Sequence, residues 1–129
     1  MIYPLILALA YIAWLALLYV RQDSMVFPRG LLGPAPAHPA VGNGEVLHKS
    51  IDAGIVEAWY FEGAGLSAEQ PGPLVVFFHG NGEIIDDLDN IVDLWRSRGC
   101  SILLPEYRGY GRSDGEPSQA AIVADAVTF

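Results

Sequence analysis

Residues 101–118 read SILLPEYRGYGRSDGEPS, and within them GRSDG (111–115) fits the G-x-S-x-G pattern of a serine nucleophile. The surroundings of the pentapeptide decide whether it is one. A nucleophile elbow needs a strand running straight into its first glycine and a helix leaving straight after its serine. Here the apolar run SILLPEY ends at Tyr107, and Arg108, Gly109 and Tyr110 intervene before Gly111. Asp114, Gly115, Glu116 and Pro117 then separate Ser113 from any helix. The base of such a site follows the serine in the order Ser, acid, His, yet no His follows Ser113 in these 129 residues. Ser113 is therefore read as a decoy, and the chain as holding no catalytic triad.

Working outward, PLVVFFHG (73–80) carries five consecutive apolar residues from Leu74 to Phe78. Such a run predicts a strand buried on both faces of a parallel sheet. From Ile84 to Gly99 the pattern is helical, with Leu88, Ile91, Val92 and Trp95 at i, i+3, i+4 and i+7. Arg96 and Arg98 suit its C-terminal end and Gly99 its C-cap. Glu83, Asp86, Asp87 and Asp89 crowd its start, which the helix dipole explains; they lack calcium-loop spacing. Pro117 and Ser118 open a further helix with an apolar stripe of Ile122, Val123, Ala126 and Val127. Upstream, EVLHKSI (45–51) and IVEAWYFE (55–62) flank the short turn Asp52-Ala53-Gly54, a hairpin signal, and 62–73 is loop by composition. The fold class is α/β: a partial sheet made of a β-hairpin plus a parallel βαβα unit. With two parallel strands and an open edge, it reads as an unfinished fold.

The N-terminus is of another kind. Residues 2–20, IYPLILALAYIAWLALLYV, carry no charge. As a helix they span about 28 Å, close to the hydrocarbon thickness of a bilayer. The stretch is apolar on every face, which argues against a core helix. A cleaved signal peptide lacks its usual marks, since no Lys or Arg precedes the run and no A-x-A site follows it. A single-pass anchor over 1–21 is the reading adopted, with Arg21 and Arg29 weakly favouring a cytoplasmic body. Residues 22–44, with Pro28, Pro34, Pro36 and Pro39, read as an extended linker, and 45–129 as the sheet domain.

All 15 acidic and all 7 basic residues follow position 20, so the body carries a net charge of −8. Nothing in it offers a footprint for nucleic acid. The single Cys100 excludes an internal disulfide and a cysteine zinc site; it opens the apolar run CSILLP and reads as a buried small hydrophobe. GYGRSDG does not have the G-x-G-x-x-G spacing of a dinucleotide loop, and DDLDN sets no pair of carboxylates across a cleft.

VVFFHGNGE (75–83) followed by PEYRGYGRSDGEPS (105–118) resembles the first half of an α/β-hydrolase. The likeness is to the membrane-anchored, lipid-esterase-like branch, and QDSMVFPRG (22–30) just after the apolar stretch resembles that branch too. The resemblance runs from about Gln22 to Phe129. It implies that the His-Gly loop supplies one backbone N–H of an oxyanion hole, here at Asn81, supported by His79, Gly80 and Gly82. The backbone of Asn81 then matters more than its side chain, and His79 is a structural residue rather than the base. His38 and His48 read as exposed linker and strand residues. The resemblance further implies a serine hydrolase cleaving carboxylic esters of small molecules or lipids, held to the membrane through residues 2–20, with its Ser-His-Asp triad beyond this chain and no cofactor or metal. A non-catalytic membrane-tethered binding module built on the same fold is the alternative.

Overall fold

The computed structural model describes residues 2–129; Met1, the first residue of the expected anchor, lies outside them. The first helix, α1 (Ile2–Val26), buries none of its residues. Among the described residues it is the one helix long and apolar enough to cross a membrane, a test that a signal sequence near the N-terminus also passes. It does not stop at the expected boundary of residue 21. The polar residues Gln22 to Ser24 keep the helical hydrogen bonding, the Phe27 N–H still donates to the Asp23 carbonyl at 2.7 Å, and Pro28 ends the run. A single 3-10 turn, Arg29–Leu31, follows.

The rest of the expected linker is not free. The Pro36 carbonyl accepts from Arg112 Nη1 at 3.1 Å and Asn43 Oδ1 from Arg96 Nη1 at 3.2 Å, while Val41 packs on the core.

β1 (Glu45–Ile51) and β2 (Gly54–Phe61) form the expected hairpin, antiparallel, with Ile51 opposite Gly54. β3 (Leu74–Val76) and β4 (Ser101–Pro105) pair in parallel, and β4 pairs with β2 in antiparallel. The sheet is therefore mixed, in the order β1-β2-β4-β3. β4, with partners on both sides, is buried throughout. β3 is not the doubly buried strand its apolar run predicts. It forms the edge of the sheet, is three residues long, and leaves Leu74, Val76 and Phe78 about half exposed on one face.

The helix expected over 84–99 is divided. A 3-10 turn (Ile85–Asp87) precedes α2 (Asp89–Arg96), because the Ile85 N–H is drawn to Glu106 Oε2 at 3.1 Å and Asp86 to Arg112. The C-terminus behaves as the sequence predicts. Gly99 sits at φ +72°, its N–H bonds the Arg96 carbonyl, and the Cys100 N–H reaches back to the Trp95 carbonyl, a Schellman closure. The core lies between the sheet and this helix: Trp59, Phe61, Ile102 and Leu104 against Ile85, Leu88 and Val92. Cys100 is only half-buried.

α3 (Gln119–Ala126) is capped by Ser118, whose hydroxyl accepts from the Ala121 N–H at 3.2 Å. Its expected apolar stripe is not what it buries, since Val123 and Val127 are exposed. The buried residue is Asp125, held by a two-pronged ion pair from Arg108 at 2.6 and 2.5 Å.

Candidate active site

Two loops leave the carboxyl ends of the parallel pair β3 and β4, the edge at which sites form in open α/β sheets. The loop after β3 contains His79, Gly80, Asn81 and Gly82. His79 is buried against Glu106, another buried residue, with Nε2 2.6 Å from Oε1. Its other nitrogen, Nδ1, lies 2.8 Å from the Gly80 carbonyl. Both ring nitrogens face acceptors, an arrangement that favours the doubly protonated ring. Burial alone would disfavour the imidazolium. The hydrogen bond and charge of Glu106, aided by Gly80 and Glu83, outweigh it and raise the His79 pKa. With both ring nitrogens engaged in this way, neither is free to act as a base toward a bound group.

The same contacts orient the backbone. The Gly80 carbonyl is held by His79 and accepts from the Glu83 N–H at 3.3 Å. The Asn81 N–H belongs to the same planar peptide and points the opposite way. It meets no acceptor among the described residues, and Asn81 is exposed. The Gly80 N–H is taken by Glu83 Oε2 at 2.9 Å, and the His79 carbonyl by the Tyr107 hydroxyl at 3.0 Å. The Asn81 carbonyl accepts a long bond, 3.4 Å, from the Tyr110 hydroxyl. Tyr107 also packs on the His79 ring, with centroids 4.4 Å apart. Burial, with the nearby Glu106 charge, raises the Tyr107 pKa and keeps its proton available to donate. Gly82 is exposed, and a side chain there would meet nothing.

Beside Asn81 lies an open cleft of about 340 Å³, lined by Val26, Phe27, His79, Asn81, Tyr107 and Ile122, among others. A free donor on a residue that lines a largely apolar cleft is suited to stabilising negative charge on a bound group.

The loop after β4 is different. Ser113 is buried, and its Oγ accepts from the Glu57 N–H at 3.0 Å. No histidine stands beside it: His79 is engaged with Glu106, and His48 is exposed on β1, 3.7 Å from Glu57. His38 is exposed in the segment before β1. Arg112 joins Glu57 at 2.7 Å and Asp86 at 2.9 Å, and its guanidinium lies 5.4 Å from the Trp59 ring centre. Burial works to raise the Glu57 pKa, but hydrogen bonds from Arg112 and Trp59 bring it below its ordinary value. Asp86 is thus the partner of a cation rather than an acid placed for a helix dipole, and Glu83 serves the Gly80 N–H.

Sequence reasoning missed Glu106, Tyr107 and Tyr110. The available signal was a carboxylate at the end of a buried strand, five residues before a glycine. Gly111, at φ +55°, lets the chain pass where a Cβ would stand 2.5 Å from Glu106 Oε2.

No family model matches the chain. It is 30% identical over 122 residues to the alpha/beta hydrolase domain-containing protein WAV2 of Arabidopsis thaliana, a match covering 89% of this chain and 39% of that protein. A 97-residue stretch is 32% identical to the multifunctional-autoprocessing repeats-in-toxin protein of Vibrio vulnificus, covering 70% of this chain and 2% of the toxin. Among solved structures, an alpha-beta hydrolase from Vibrio vulnificus superposes with a TM-score of 0.56 at 28% identity, over 67% of this chain and 28% of that one. DcsB, solved with its substrate analogue, gives 0.50 at 27% identity, over 67% of this chain and 31% of its own. The chain spans well under half the length of each. Sheet order, strand directions and these likenesses agree: the chain carries a part of the α/β-hydrolase fold.

Proposed function

We propose that the protein containing this chain is a membrane-anchored serine hydrolase of carboxylic esters, and that the loop after β3 supplies half of its oxyanion hole through the Asn81 N–H. The observation that carries this reading is the unpaired N–H of the exposed residue Asn81, next to Gly80, whose carbonyl and N–H are both engaged. Such a donor needs no reorganisation when negative charge develops on a tetrahedral intermediate, and one is worth about 3 kcal/mol of transition-state stabilisation. His79 and Gly80 hold the loop, and Gly82, where a side chain would meet nothing, lends it backbone freedom. The nucleophile, its histidine base and the acid that orients it lie outside these residues, and Ser113 is not the nucleophile. The apolar lining of the cleft favours an ester with an apolar acyl group, and α1 serves as the single-pass anchor.

One preparation tests the reading. The full-length protein should be labelled by a fluorophosphonate probe, and the labelled protein should stay in the membrane fraction after carbonate washing. Asn81→Pro, which deletes the donor, should lower kcat by about 100-fold with the fold intact by circular dichroism. Absence of labelling in folded protein would favour the non-catalytic binding module. Equal turnover in Asn81→Pro would remove Asn81 from the site.

A further inference from the structure

The Asn81 side chain, which the sequence leaves without a task, has a partner. Its Nδ2 donates to the carbonyl of Val26, 55 residues earlier in the chain. Val26 is the last residue of α1, and the final carbonyls of a helix have no acceptance to make within it. The carboxamide meets one of these orphan groups. Val26 and Phe27 also line the same cleft as Asn81.

The remaining restraints on Asn81 are weak. Gly80 and Gly82 on either side give the backbone unusual freedom, and the Tyr110 hydroxyl reaches the Asn81 carbonyl only at 3.4 Å. His79 holds the preceding peptide through the Gly80 carbonyl. Something must hold the following one, or the N–H donor is fixed at one end alone. The contact with Val26 supplies that hold.

We propose that the C-terminal turn of α1 is a working part of the site: the Val26 carbonyl tethers the Asn81 carboxamide, so that Asn81 is a positioning residue through its side chain as well as a donor through its backbone. The apolar helix then sets the oxyanion loop in addition to carrying the domain. This rests on the reading that the Asn81 N–H serves the reaction, but the tether itself is measurable without turnover.

The test uses full-length protein in detergent micelles or nanodiscs. Asn81→Asp keeps the shape of the side chain and removes its donor. Amide exchange at Gly80 and Glu83, whose N–H groups close the loop, should quicken by about five-fold or more in Asn81→Asp and Asn81→Ala. Exchange at Ile102–Leu104 in β4 should not change. In turnover, Asn81→Ala should lower kcat by about ten-fold with KM nearly constant, a smaller loss than Asn81→Pro gives.

A second measurement leaves Asn81 intact. A spin label at Phe27→Cys, in a Cys100→Ala background, should broaden the amide signals of residues 80–83. Wild-type exchange in Asn81→Asp, or sharp signals for residues 80–83 beside the label, would overturn the tether. If exchange and broadening come out as expected but no probe labels the protein, the tether stands and the hydrolase reading falls.

Discussion

The loops after β3 and β4 start from similar material and end in opposite states. Each is rich in glycine, each leaves the carboxyl end of a strand in the parallel pair, and each offers a residue that resembles catalytic equipment. The loop after β4 spends its polar groups inward. Ser113 accepts from β2, Asp114 exchanges two hydrogen bonds with Ile55 at 2.8 and 2.9 Å, and Arg112 and Arg108 are paired with buried carboxylates. The loop after β3 is fastened at fewer points, through His79, the Gly80 peptide groups and Tyr107, and the Asn81 N–H is left unpaired. The comparison teaches that a hydroxyl already used as an acceptor in a buried joint is poor material for a nucleophile. An N–H left free on a fastened loop is prepared for a ligand.

The largest expected effect tests whether the β4 loop is structural. Arg112→Ala leaves Glu57 and Asp86 facing each other in the interior without a cation. Breaking such a pairing costs about 3–5 kcal/mol. Urea denaturation should show a lower midpoint at an unchanged slope; a loss below about 1 kcal/mol would make the cluster incidental.

An intermediate effect sharpens the account of the β3 loop. Glu106→Gln removes the charge that raises the His79 pKa and should cost about 2–3 kcal/mol. Because pairing raises the His79 pKa in the folded state, its contribution is fully present below the ordinary histidine value of 6.5. It is lost as pH rises through the raised folded value. The gap between wild type and Glu106→Gln should therefore narrow from mildly acidic to alkaline solution. A gap that widens with pH would mean that His79 is buried neutral.

The smallest effect separates the two loops most directly. Ser113→Ala leaves the Glu57 N–H without its acceptor and should destabilise by about 1–2 kcal/mol. Fluorophosphonate labelling of the full-length protein should be unchanged. Loss of labelling in folded Ser113→Ala would reverse the assignment of the two loops.

The fold was legible where the signal is local. β-rich runs flanking a turn and continuous apolar runs marked four strands, Gly99 marked the helix end that a Schellman closure then occupies, and Ser118 stood at the start of α3 as its cap. The site was legible only through motif likeness, and only for the loop that carries the motif. Asp86 illustrates the limit. Its place in a crowd of acids suggested a helix dipole, yet its partner is Arg112, 26 residues on, brought near by the pairing of β2 with β4. The apolar run 74–78 illustrates another: burial on both faces depends on what covers a strand, and composition does not say.

The sequence by itself determined the α/β alternation, the hairpin and the apolar N-terminal helix, because each rests on spacing over a few residues. Only the tertiary structure decided that Glu106 pairs with His79 and raises its pKa, that Arg112 joins an acid of β2 to one of the turn before α2, and that the end of α1 meets Asn81. Those contacts join residues 26 to 55 positions apart. Their strength comes from burial and mutual orientation, and no local pattern encodes either.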